Sequence, residues 1–160
     1  RKQVMEMLHA LWDLHKGGYY FYVDIIGSGP DNDKIVKFLK STNSEFRSHI
    51  VLSGHVNNVI EKIMEADIFL MNSSSEGVSR ALMEAMYIGL VVVVRRNHGS
   101  VDLIEDRVTG YLYDTLEEMT AILKDYYLDS GVFHKAQLSP CFTMEFNANS
   151  YLELLYKLDH

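Results

Sequence analysis

The chain has one cysteine, two prolines, fifteen basic residues against twenty-two acidic ones, and no long apolar run. Each shortage excludes something. A lone Cys141 rules out an internal disulfide and a cysteine-built zinc cluster, and the seven histidines show no tight metal-ligand spacing. A reducing, cytoplasmic setting is the expectation. A formal charge of −7 leaves no basic footprint for nucleic acid, so a phosphate would have to be met locally. The longest apolar stretch, at 88–94, is interrupted by Gly89 and is far too short to cross a bilayer. With so little proline, and with 48% hydrophobic against 23% charged residues, no disordered tail or low-complexity linker stands out.

What is present reads as one domain of 160 residues, large enough to bury its own core. Val4, Met7, Leu8, Leu11 and Trp12 recur at helical spacing, and Gly17-Gly18 should stop that helix. A strand over 19–26 enters Gly27-Ser-Gly29-Pro30, and Ile35, Phe38 and Leu39 mark a second helix. A strand over 49–52 ends at Ser53-Gly54, a helix covers 58–66, and a strand follows at 67–71. Next come a helix over 79–88 and a strand over 90–94, Leu-Val-Val-Val-Val, apolar on both faces. Such a strand is covered by helices on both sides, which means a parallel sheet. The remainder predicts a helical turn near 101–104, a strand at 111–113, a helix over 116–128 with Thr115 and Glu118 as its capping box, and a last helix over 148–158. Strand and helix alternate throughout, so the expected fold is α/β. It is a Rossmann-like doubly wound parallel sheet with helices on both faces and right-handed crossovers. Ligands of such sheets bind beyond the carboxyl ends of the strands. The loops at 27–30, 54–56, 73–79 and 97–100 all fall at that edge and form one expected site.

One of these loops carries two glutamates, Glu76 and Glu84, eight residues apart. The spacing alone is cheap, because Glu145 and Glu153 repeat it without a preceding apolar strand, a neighbouring glycine or a turn. Context separates the first pair. An apolar strand precedes Glu76, Gly77 allows close backbone approach, and Ser79 can cap a helix whose free N–H groups make an anion site. Glu84 has a plainer alternative, an i,i+4 ion pair with Arg80 worth roughly a few tenths of a kcal/mol.

The runs Val23-Asp-Ile-Ile-Gly-Ser-Gly-Pro30, Leu52-Ser-Gly-His-Val56 and Ala66-Asp-Ile-Phe-Leu70 appear in that order. They are followed by Ser73-Ser-Ser-Glu-Gly-Val-Ser-Arg-Ala-Leu-Met-Glu-Ala-Met86, then Gly89-Leu-Val-Val-Val93, then 99–104 and Thr109-Gly-Tyr-Leu112. Over 2–156 this resembles the C-terminal, donor-binding domain of a retaining glycosyltransferase of the two-domain GT-B fold, close to glycosyltransferase family 4. The resemblance implies a nucleoside-diphosphate sugar as donor. Glu84 would bind the ribose hydroxyls, and Glu76 would approach the transferred sugar and its phosphate. Backbone N–H groups of Val78, Ser79, Ala81 and Leu82 would meet the sugar hydroxyls and the diphosphate, and Gly77 would keep the turn open. The backbone at Gly54, His55 and Val56 would meet the base, with Gly27, Gly29 and Gly99 allowing close approach. Lys2 stands where the family has a phosphate-binding lysine; its alternative is a frayed terminal residue.

The His55 side chain either stacks on the base or is solvated, and Arg95, Arg96 and His98 either neutralise phosphate or form a solvated turn. The family's chemistry generally proceeds without a metal or cofactor, so none is expected. Asn72 replaces the usual proline, Ser79 a small residue or proline, and His98-Gly99 a glycine pair. The resemblance also implies an N-terminal acceptor-binding domain and a central strand before Arg1. The chain would then be a donor-binding fragment, inactive alone, with a gap in its sheet. Any peripheral membrane association is expected through that missing domain. Other readings are a non-catalytic nucleotide-binding or interaction module, and a nucleotide-sugar epimerase or sugar phosphorylase on the same half-fold.

Overall fold

The computed structural model describes residues 3–75 and 77–139. The helix expected at 148–158 lies outside the described residues.

The opening helix α1, Val4–Lys16, buries Leu8, Leu11 and Leu14 on one face, and His15 and Lys16 in its last turn suit the negative end of its dipole. It ends where Gly18 turns the chain at φ +87° and the Tyr19 N–H donates back to the Leu14 carbonyl at 3.0 Å. Strand β1, Val23–Ile26, is shorter than the expected 19–26. The reason lies in its partner. Strand β2, Ile50–Gly54, pairs with β1 from Val23↔Ile50, and the Val23 N–H donates to His49 O at 2.8 Å. Upstream of that point the neighbouring chain is already helical. The helix α2, Asn32–Ser41, is followed by α3, Ser44–Ser48, a short helix the hydrophobic pattern did not reveal. Asn43 caps α3 by accepting from the Phe46 N–H at 2.8 Å, and Phe46 is buried.

After β2 come α4, Val59–Ile63, strand β3, Ile68–Met71, and α5, Arg80–Ile88. Then follow β4, Val91–Arg95, a four-residue helix α6, His98–Val101, strand β5, Tyr111–Tyr113, and α7, Leu116–Leu128. A 3-10 turn at Ser130–Val132 follows. Strand β5 and helix α7 match their expected bounds of 111–113 and 116–128, and α7 has the Thr115–Glu118 capping box. The turn expected at 101–104 sits earlier, because Asn97 and Ser100 form a reciprocal cap that starts α6 at His98.

All pairings are parallel, and helices cover both faces, as the valine run requires. Val91 and Val93 enter one core with α1, α2, α3 and α7, whereas Val92 and Val94 enter a second core with α4 and α5. Tyr111 and Tyr113 follow the first core, Leu112 the second. The hydrogen-bonded order is β1–β2 in one sheet and β3–β4–β5 in another. The ladder therefore breaks between β1 and β3, although Ile25 and Leu70 pack against the same core.

Candidate functional site

The turn between β3 and α5 begins inside the protein and ends outside it. Asn72 and Ser73 are buried, while Ser74, Ser75, Gly77 and Val78 are exposed. Ser79, in an extended conformation, caps α5, and its Oγ accepts the Leu82 N–H at 3.4 Å. Leu82, Ala85 and Met86 then dock α5 into the second core, and Gly89 ends the helix at φ +84°. The N–H groups of Val78, Ser79, Arg80 and Ala81 have no acceptor among the described residues. These four donors open at the carboxyl edge of a parallel sheet, where the helix dipole favours negative charge. Leu82, expected among them, has its N–H taken by the cap, and the Arg80 N–H takes its place.

Glu84 lies one turn into α5. Arg80 Nε and Glu84 Oε1 are 3.6 Å apart, but the Arg80 side chain is 89% exposed, so solvent screens the pair to roughly a few tenths of a kcal/mol. That ion pair exists and leaves Glu84 loosely held. Glu76 and Lys2 lie outside the described residues.

At the ends of β1 and β2, the Gly27 N–H donates to Gly54 O at 2.6 Å. The ladder slips one residue here, matching Ile26 to Gly54, and Gly27 and Gly54 take φ of +113° and +62°. Among the described residues, and apart from each glycine's own chain neighbours, no atom lies within 4 Å of where a Cβ would project at Gly27, Gly29, Gly54 or Gly77. The Gly29 carbonyl accepts the Asn32 N–H at 3.2 Å, turning the chain into α2. His55 is exposed, with no hydrogen-bond or ring partner among the described residues, and Val56 is half-buried. Beneath these loops, Asp24 accepts from Ser53 Oγ at 2.6 Å and pairs with Lys62 Nζ at 3.0 Å, which ties α4 to both strands. The hydrogen bond that Lys62 donates to Asp24, then the Asp24 charge, hold the Lys62 ammonium above its usual range.

The two arginines leaving β4 divide. Arg96 Nε reaches Asp114 Oδ2 at 3.2 Å and its Nη2 reaches Asp106 Oδ2 at 3.3 Å, a surface structural role. Arg95 pairs with no carboxylate among the described residues; its Nη1 donates to Gln3 Oε1 at 2.6 Å and to Asn72 Oδ1 at 3.5 Å. Asn97 both caps α6 and donates through Nδ2 to Ser73 O at 2.8 Å. Gly99 is buried in α6, while His98 is exposed. The Tyr113 hydroxyl donates to Met71 O at 3.1 Å; burial raises its pKa, the Arg95 charge opposes that rise and the Glu6 charge adds to it. Asn97 lies in the expected 97–100 loop, but its bond to Ser73 and the roles of Asn72 and Tyr113 were not foreseen, since hydrogen bonds formed across more than twenty residues leave no local spacing.

The sheet geometry thus joins Gly27 to Gly54, and the 73–79 turn to Asn97. The first pair ends one sheet and the second pair the other. Among the described residues, no three His, Cys, Asp or Glu side chains are grouped to hold a metal, and no helix is long and apolar enough to cross a membrane.

Residues 1–131 match the family described as glycosyl transferases, group 1. The chain is 48% identical over 103 residues to the amylovoran biosynthesis glycosyltransferase AmsK of Erwinia amylovora, covering 61% of this chain and 25% of that protein. It is 27% identical over 121 residues to the N-acetyl-alpha-D-glucosaminyl L-malate synthase of Bacillus anthracis, covering 72% of this chain and 31% of that one. The pneumococcal O-GlcNAc transferase GtfA, solved in complex with UDP and GlcNAc, superposes with a TM-score of 0.69 at 22% identity. That match covers 94% of this chain and 29% of GtfA, and is a likeness of fold. The chain spans a third or less of the length of the curated relatives it matches.

Proposed function

The chain belongs to the group 1 glycosyl transferases, and from that membership we propose that it holds the donor of a retaining, family 4-type hexosyl transfer. In this reading it is the C-terminal half of a GT-B enzyme, which binds a nucleoside-diphosphate sugar, and a separate N-terminal domain receives the acceptor. The observation that carries the reading is the start of α5. Four N–H groups without an acceptor among the described residues open at the carboxyl edge of a parallel sheet, with Glu84 one turn behind them.

As the glycosidic C–O bond breaks, negative charge grows on the departing nucleoside diphosphate. Fixed N–H dipoles of 78–81 oppose that charge without reorganising, the usual advantage of a preformed site. Lys2 adds a cation, so the scheme uses no metal. Glu84 accepts hydrogen bonds from the ribose hydroxyls, and Glu76 faces the transferred sugar. The base lies against the backbone of Gly54, His55 and Val56, near Gly27 and Gly29, where no side chain fills the space. Gly99 lends backbone beside the turn. The proposed setting is cytoplasmic.

The test is a thermal-shift panel of UDP, GDP, ADP and their sugars on the natural full-length protein. A ligand at a hundred times its Kd should stabilise the fold by roughly 2.7 kcal/mol. One nucleotide and its sugar should raise the melting temperature together; no shift with any of them would overturn the donor-site reading.

A further inference from the structure

We infer that Arg95 and Asn72 are positioning residues that fix the stem of the 73–79 turn and couple it to the first turn of α1; this rests on the donor-site reading above. Three consecutive residues leaving β3 are each held from a different direction. Met71 O accepts from the Tyr113 hydroxyl, and Ser73 O accepts from Asn97 Nδ2. Between them lies Asn72, 1% exposed, whose side chain joins a closed ring of four residues. Its Nδ2 donates to Gln3 O at 3.3 Å and Glu6 Oε2 at 3.4 Å, while its Oδ1 accepts from Arg95 at 3.5 Å. Gln3 closes the ring. Its Oε1 accepts from Arg95 Nη1 at 2.6 Å, and its Nε2 donates to Glu6 Oε1 at 2.9 Å.

The ring joins elements 66 to 92 residues apart in sequence. One cation and one carboxylate are separated by two amides, and the Asn72 and Gln3 amides donate to one neighbour while accepting from another. Such a ring is geometrically demanding at its centre, because the buried Asn72 has few alternative partners, while Gln3 and Arg95 are half-buried and Glu6 is exposed. It also holds Gln3 at φ +37°, a left-handed conformation that a residue other than glycine keeps only when its surroundings impose it. Gln3 directly follows Lys2, and Asn72 directly precedes the donor turn. The ring therefore ties the first turn of α1 to the stem of the 73–79 turn.

This gives the departure at position 72 a purpose. The proline usual there in the family pattern has no side-chain donor or acceptor, and would leave the Arg95 guanidinium one partner fewer. Arg95, not Arg96, is the arginine turned to the site, since Arg96 is spent on Asp106 and Asp114.

The experiment measures calorimetric binding of whichever of UDP, GDP or ADP the natural full-length protein binds, beside each variant's melting temperature. Arg95→Ala and Asn72→Ala should each weaken binding about tenfold, and the double variant should be no worse than about the weaker single, because members of one network are not additive. Arg95→Lys should bind within about threefold of the parent, since an ammonium can still donate to Gln3 and Asn72. Ile122→Val, which trims the core in α7, should lower the melting temperature and leave binding unchanged. Should Arg95→Ala fail to fold, Gln3→Ala breaks the same bond from its acceptor side without emptying a core position. Affinities that follow melting temperature alone across all variants, or Arg95→Ala and Gln3→Ala variants that bind like the parent, would overturn the inference. If the parent binds none of the three nucleotides, the donor-site reading itself falls, and this inference with it.

Discussion

The two parallel sheets reach the same edge by different means. In β3–β4–β5, four successive valines of β4 are buried, and Tyr113, Arg95 and Asn97 hold the loop beyond β3 by their side chains. In β1–β2, Val51 and Leu52 stay exposed, and the loops turn on glycines joined by one backbone hydrogen bond, Gly27 to Gly54. The difference teaches a division of labour. In the proposed reading, charge developing on a diphosphate would need donors that do not move, and the N–H groups of 78–81 lie in the half whose loops are cross-braced. In the same reading a flat base would need open backbone, and the turn glycines of the β1–β2 half offer it beside the exposed His55.

The most forceful way to break this comparison is to cut each sheet at its centre. Val93→Ala, at a fully buried position of β4, should cost about 2–3 kcal/mol in urea unfolding. Val51→Ala, at a position 53% exposed, should cost no more than about 0.5 kcal/mol. Equal losses would mean that the halves do not differ in the way described. Smaller in effect, Gly54→Ala should cost about 1–2 kcal/mol, since its φ of +62° strains any side chain although no atom is nearby. If the base rests there, nucleotide affinity should fall as well; the same stability loss with unchanged affinity would move the base elsewhere. Asn97→Ala should cost about 1 kcal/mol through the lost α6 cap, and by removing the Nδ2 donor to Ser73 O it should also weaken nucleotide binding, as titration would reveal.

The smallest effect is one of pH. Burial raises the Tyr113 phenol, so the folded state holds that proton more tightly than the unfolded chain does. Its contribution is complete below the unfolded value of about 10 and is lost as pH rises beyond it. Unfolding measured from pH 8 to 11 should show stability falling above about pH 10 in the parent, and a shallower fall in Tyr113→Phe.

Much of the fold was legible because it is written in short-range pattern. The valine run announced a strand covered on both faces, and Thr115 with Glu118 announced the start of α7, which the structure keeps. Strand limits were less legible, since β1 begins only where His49 offers a partner, a fact carried by distant residues. The short α3 was missed because one buried phenylalanine sets no period. At the site, Ser79 and the turn glycines were readable from local chemistry. The Asn72–Arg95–Gln3–Glu6 ring was not, because Asn72 looked like a mild replacement until the fold brought Gln3 beside it. Arg95 and Arg96 are adjacent and identical in type, and only the positions of Asp106 and Asp114 tell them apart.

The proposal that α5 begins at the donor is tested most directly by two variants on that helix, titrated with the nucleotide the parent binds. Glu84→Gln should weaken binding about tenfold or more, because a carboxylate accepting from ribose hydroxyls makes the stronger, charge-assisted bonds. Arg80→Ala, which removes the 3.6 Å ion pair but keeps the backbone N–H, should bind within about twofold of the parent, as expected for a nearly exposed pair. Parent-like binding by Glu84→Gln would contradict the assignment and leave Glu84 as no more than the partner of Arg80.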